Sequence, residues 1–276
     1  KNNFQYYKKS MTVHALERLQ TETNLRNALK EDQFVVFYQP KIDATVDRLV
    51  GMEALVRWND PINGFIQPGS FIPLAEEIGL IILIDRVVMK KAMLQVVDWY
   101  EQGLNPGVLS LNLSVRQLEQ ADFIDRLVEI MRETGCQPQW LELEVTEGHI
   151  MHDPQKAILI LEAINALGIR ISIDDFGTGY SSLAYLKRLP ISILKIDKSF
   201  IDGLPNDEYD IAIVHTIIGL AKSMKLNIIA EGVETLAQKQ FLIENGCNFV
   251  QGYLYAKPMD SDSMASFLQG PMANSH

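Results

Sequence analysis

The chain has 276 residues, 47% hydrophobic and 8% aromatic, enough to bury a large core and close to the usual size of one eight-stranded α/β barrel. Its formal net charge of −10 disfavours a nucleic-acid partner, because tracking a phosphate backbone needs a Lys/Arg excess on one face; a small anion bridged by cations stays compatible. Cys136 and Cys247 form no CxxC pair, so neither a zinc ribbon nor a disulfide framework is suggested and a reducing cytoplasm fits best.

The apolar run 80–89 is interrupted by Asp85 and Arg86 and is too short to cross a bilayer. The opening KNNFQYYKKS has no apolar segment behind its charges, unlike a signal peptide. A start without Met sets the expectation of a piece of a longer protein.

Leu16, Leu19, Leu25, Ala28 and Leu29 fall at helical spacing and predict a leading helix over about 10–30. Apolar runs at 34–38 and 49–56, with a turn-like 43–48 between them, predict a hairpin. A hairpin departs from a regular barrel, in which a helix separates successive strands. After Trp58 the pattern alternates. Strands are predicted at 108–113, 140–145, 169–173, 193–196, 227–230 and 249–254, and helices at 81–101, 123–133, 154–167, 209–225 and 235–244. Composition shows no break that would mark a second domain. Eight strands with later helical crossovers predict an α/β fold, a TIM-like (β/α)8 barrel with the first strand antiparallel to the rest; an open doubly wound sheet is the competitor.

Loops that follow barrel strands share one face, so polar residues at strand C-termini point to chemistry. Glu53, Asn112, Glu144, Asp174 with Asp175, Lys195, Glu231 and Gln251 stand at successive exits. Adjacent carboxylates such as Asp174 and Asp175 repel unless positive charge lies beside them, although a solvated turn or helix cap is the ordinary alternative. In WLELEVTEGH, Glu144 reads as an inward ligand; Glu142 faces the helices, pairs with a cation or sits near the far end. Glu147 reads as a support for the next loop. Asn112 offers a hard amide oxygen or is a turn residue. Lys195 acts on phosphate or water, or simply pairs with Asp197. Oxygen donors without His or Cys argue for Mg²⁺ or Mn²⁺ and against zinc. The histidines 14, 149, 152, 215 and 276 form no HxH or HExxH pattern; His149 alone is near a candidate site. GTGYSS is not a nucleophile elbow.

Seven motifs then occur in order: EALVRW at 53–58, NLSVRQ at 112–117, EVTE at 144–147, DDFGTGYSSL at 174–183, KIDKSF at 195–200, EGVE at 231–234 and QGY at 251–253. With them the stretch 34–268 resembles the EAL family of cyclic di-GMP phosphodiesterases; 1–33 reads as a linker helix region and 269–276 as a C-terminal tail. The resemblance implies two Mg²⁺ or Mn²⁺ ions and hydrolysis of cyclic di-GMP to linear pGpG. Glu53, Asn112, Glu144 and Asp174 would hold the first ion, and Asp174, Asp175 and Glu231 the second. Lys195 and Glu231 would position and deprotonate water, and Glu147 would hold the DFGTGYSS loop. Gln39, Leu55, Arg57, Asp197 and Gln251 would seat the substrate. It also implies a homodimer and an upstream GGDEF or sensory domain. A non-catalytic receptor for the same dinucleotide is the alternative.

Overall fold

Period-two alternation along the strands has an unusual outcome here, in that the apolar residues face outward and the polar ones inward. A computed structural model describes residues 9–179 and 183–274. Its strands are β1 (Phe34–Asp43), β2 (Arg48–Asp60), β3 (Gly64–Ile66), β4 (Val108–Asn112), β5 (Leu141–Thr146), β6 (Arg170–Phe176), β7 (Ile193–Ile196), β8 (Asn227–Ala230) and β9 (Phe249–Gln251). The order β1-β9-β8-β7-β6-β5-β4-β2 closes through β1–β2 pairing, so eight strands form a barrel and β3 is a short addition to β2. Closure excludes the open sheet. Strand β1 is antiparallel to both β2 and β9, and the remaining barrel pairs are parallel.

Leu109, Leu111, Leu141, Leu143, Val145, Ile171, Ile173, Leu194, Ile196 and Ile228 point outward into the main core. There they meet the helices Ile81–Glu101, Phe123–Thr134, Pro154–Ala166, Glu208–Met224 and Leu236–Asn245. Helix Phe123–Thr134 shows why such segments are helical: Phe123, Leu127, Met131 and Thr134 recur every three or four residues on its buried side, and Gly135 ends it at φ 75°. Each buried Leu contributes about 2 kcal/mol by leaving water. A second cluster packs Leu25 and Ala28 of the leading helix Lys9–Lys30 against Phe71, Ala75, Ile81 and Ile84.

Four strands differ by more than one residue from the predicted bounds; β2 runs on to Asp60, where Trp58–Asp60 pair with β3. Strand β1 runs past Pro40 to Asp43, since Pro40 lacks only a donor and the register shift at Lys41/Ile42 absorbs the irregularity. Strand β6 continues through Asp174 and Asp175 to Phe176. Strand β9 stops at Gln251, because Gly252 lies against the Val233 backbone, where an added Cβ would be 2.1 Å from the Val233 oxygen. Residues 180–182 of the DDFGTGYSS motif, and the His149 side chain, lie outside the described residues.

Candidate active site

Lys195, on the inner face of β7, is fully buried. Its ammonium lies 2.5 Å from Glu144 Oε2 on β5, 2.5 Å from Glu231 Oε1 just beyond β8, 3.1 Å from Asp174 Oδ1 on β6 and 4.0 Å from Glu53 Oε2 on β2. Glu53 in turn accepts from Asn112 Nδ2 and from Gln251 Nε2, each at 2.6 Å. All seven predicted exits therefore meet in one ring at the C-terminal mouth of the barrel. The pairing of Lys195 with Asp197 does not occur. β7 ends at Ile196, and Asp197 turns away to cap helix Lys198–Ile201, accepting from the Ser199 N–H at 3.1 Å.

Asp174 and Asp175 reach the site together because the strand is bulged. The β6–β7 register shifts between Ile173 and Phe176, and Asp175 adopts φ 53°, a conformation that Asp tolerates better than most residues. Regular alternation would send one of the two outward. Instead, oxygens of Asp174, Asp175 and Glu231 lie within 4.8 Å of one another. Glu147 follows β5 and accepts from the Gly177 N–H at 2.9 Å. Its other oxygen lies where a side chain at Gly179 would stand 3.1 Å away, so glycine there leaves room for the acid.

Glu142 and Glu144, two residues apart, face the same way, which corrects the idea that Glu142 faces the helices. Lys41 on β1 reaches both, at 3.0 Å from Glu142 Oε1 and 2.6 Å from Glu144 Oε1. Burial opposes ionisation of Glu144, but Lys195 and Lys41 outweigh it and pull its carboxyl down to about 2. Burial and the surrounding acids push Glu231 and Glu53 upward against the pull of Lys195. Burial, with Asp174 and Asp197, raises Asp175 to about 6.

Six acids (Glu53, Glu142, Glu144, Asp174, Asp175 and Glu231) share this interior with two ammonium groups, Lys41 and Lys195. Buried negative charge in excess, carried entirely on oxygen, fits hard divalent cations and leaves zinc without its preferred donors. Asn112 gives its N–H to Glu53, which leaves its carbonyl oxygen without a role in that contact.

Among the residues expected to seat the substrate, Gln39 accepts from Gln251 Nε2 at 3.0 Å and donates to the Ala256 carbonyl at 3.1 Å. Arg57 is buried, lies 5.4 Å above the Phe37 ring and has no ion-pair partner among the described residues; burial lowers its pKa. Beside the ring a cavity of about 260 Å³ is lined by Leu55, Ile72, Val88, Leu113, Asp85 and Ser114 among others. Burial lifts the Asp85 carboxyl to about 7 although Ser114 donates to it at 2.6 Å. A wider groove of about 530 Å³ runs outside the barrel along β1 and contains none of the exit residues. Sequence reasoning did not single out Lys41, Ser110 or Asp85 as site residues. Lys41 stands two residues from Gln39 and so on the same face, and Asp85 was visible as a charge interrupting an apolar run.

Residues 22–258 match the EAL domain family. The chain belongs to the EAL family. EAL relatives include the bifunctional diguanylate cyclase/cyclic di-GMP phosphodiesterase MucR of Pseudomonas aeruginosa, 44% identical over 96% of this chain and 38% of MucR. The cyclic di-GMP phosphodiesterase NbdA of the same organism is 39% identical over 98% of this chain and 34% of its own length. This EAL chain thus spans little more than a third of these relatives. Among solved structures, the MucR phosphodiesterase in complex with c-di-GMP superposes with a TM-score of 0.86 at 45% identity, over 89% of this chain and 99% of that one. The EAL domain of Mycobacterium smegmatis DcpA gives 0.76 at 34% identity, over 86% and 97%. No helix among the described residues is long and apolar enough to cross a membrane.

Proposed function

We propose that this EAL domain is a metal-dependent phosphodiesterase that hydrolyses cyclic di-GMP to linear 5′-pGpG. The observation that carries the reading is the ring of Glu53, Glu144, Asp174 and Glu231 around Lys195, with Asp175 beside it: buried acids in excess, gathered where a substrate phosphate can enter. The names of its relatives MucR and NbdA agree with it.

Two Mg²⁺ or Mn²⁺ ions held here would supply Lewis acidity toward water and positive charge to offset that on the phosphate. Glu53, Asn112, Glu144 and Asp174 would hold one, and Asp174, Asp175 and Glu231 the other. Glu231, raised above the usual carboxylate range, accepts the proton of the attacking water. Lys195, held from several sides, keeps Glu231 oriented and offers positive charge to the phosphate. Water adds to phosphorus and the bond to the 3′ oxygen breaks, leaving a 5′-phosphate and a 3′-hydroxyl. Glu147 fixes the loop after β6 through Gly177. Arg57, buried with no ion-pair partner among the described residues, takes the phosphate; Gln39, Leu55, Asp197 and Gln251 line the seat. The cavity beside Leu55 is wide enough for part of a base, and Asp85 lines it. A homodimer and an upstream GGDEF or sensory domain in a cytoplasmic setting complete the reading.

Incubation of the purified protein with cyclic di-GMP and Mg²⁺ or Mn²⁺ is expected to yield pGpG. Saturable binding without product, at any metal concentration, would establish a receptor module instead.

A further inference from the structure

The barrel interior holds a second buried ammonium below the site, and its contacts are fully specified. Lys41 is 3% exposed. Its three N–H groups have three acceptors: Ser110 Oγ at 2.5 Å, Glu142 Oε1 at 3.0 Å and Glu144 Oε1 at 2.6 Å. The Ser110 hydroxyl donates to Glu142 Oε1 at 3.0 Å, so it is oriented as well. Glu144 is consequently held at both ends, with Oε1 tied downward to Lys41 and Oε2 pointing upward to Lys195.

We propose that Lys41 is a positioning residue that ties up Glu144 Oε1, so that Oε2 alone faces the ion site. The inference rests on the metal-dependent reading above. A carboxylate free to turn offers a cation either oxygen or both. Ca²⁺ readily accepts both oxygens of one carboxylate, whereas Mg²⁺ demands a compact octahedron with shorter contacts. A Glu144 limited to one oxygen therefore favours Mg²⁺ or Mn²⁺ over Ca²⁺. Partners behind a metal ligand commonly change metal affinity by roughly 10–100-fold when removed.

The test separates this role from simple charge balance within the barrel. Lys41→Met/Glu142→Gln removes one positive and one negative charge together, and Glu142→Gln alone keeps Lys41 on Glu144. Mn²⁺ and Ca²⁺ are titrated calorimetrically into wild type and both variants, and thermal unfolding is followed in parallel. Glu142→Gln is expected to bind Mn²⁺ within about twofold of wild type. The double variant is expected to melt near Glu142→Gln but to bind Mn²⁺ roughly tenfold more weakly or worse. Its Ca²⁺ affinity should fall less, so that the Mn²⁺/Ca²⁺ ratio drops. If the double variant does not fold, Lys41→Gln in the Glu142→Gln background, which keeps one donor without charge, is read in the same way. A folded double variant with wild-type Mn²⁺ and Ca²⁺ affinities overturns the role of Lys41 and leaves the phosphodiesterase reading intact. A wild type that binds no Mn²⁺ overturns the metal reading and this inference with it.

Discussion

Lys195 lies 2.5 Å from Glu231 Oε1, yet the Glu231 carboxyl is pushed above the usual carboxylate range, because burial and the acids Asp174, Glu53 and Glu144 outweigh the single ammonium. A strong local base results. Glu231→Gln is expected to lower kcat by roughly 10²–10⁴ while leaving the melting temperature near wild type. An unchanged kcat in the variant would remove Glu231 from the role of base.

Because Lys195 already neutralises part of the ring, the domain is expected to remain folded when metals are stripped with a chelator. Activity should vanish, and Mn²⁺ at 100 times its dissociation constant should raise stability by about 2.7 kcal/mol. Differential scanning calorimetry with and without Mn²⁺ measures this; a melting temperature indifferent to Mn²⁺ contradicts it.

Arg57 is buried against Phe37 with no ion-pair partner among the described residues. Arg57→Lys keeps the charge but loses the planar two-pronged fork suited to phosphate oxygens. We expect KM for cyclic di-GMP to rise about tenfold, a loss of about 1.4 kcal/mol, with kcat changing less. Steady-state kinetics decide the matter, and a pure kcat effect would argue against a binding role.

The Glu147 contact with Gly177 ties the end of β5 to the loop after β6. Glu147→Gln keeps an oxygen for that N–H and should retain much of the activity, whereas Glu147→Ala should lose most of it. Hydrogen exchange at residues 177–179 should accelerate in the Ala variant alone. Equal exchange in both variants would disprove the tether.

Asp85 gives a stability prediction with a definite sign. The folded protein keeps its proton up to about pH 7, while the unfolded chain releases it near the ordinary value of 3.8. Its contribution is therefore fully present below about pH 4 and is lost as pH rises through 7. Asp85→Asn, which keeps an acceptor for Ser114, is expected to gain about 2 kcal/mol over wild type between pH 4 and pH 8, discounted because the site is only partly buried. Urea unfolding at several pH values measures the gap, and a gap independent of pH rejects the argument.

Much of this was legible in the sequence because it is written in local patterns. Alternating apolar residues marked strands such as 140–145, and helical spacing marked 123–133. The acids at strand ends were visible as interruptions of apolar runs. Lys41 was not legible: its neighbours Ser110, Glu142 and Glu144 lie 69 to 103 residues away, and nothing local distinguishes it from a surface lysine. The end of β9 was missed for the same reason, since the Gly252 contact is with Val233 on another segment.

By itself, then, the sequence determined the class of fold and the identity of the ring residues Glu53, Asn112, Glu144, Asp174, Lys195, Glu231 and Gln251, through periodicity and motif order. Only the tertiary structure decided how the charges are shared. It gave Lys195 to Glu144, Glu231 and Asp174 rather than to Asp197, brought Asp175 inward through a bulge, and set Lys41 beneath Glu144. Barrel closure is the physical reason: it packs acids from distant strands into one buried space, where each charge must find a partner, and the choice of partner depends on distances that no local pattern encodes.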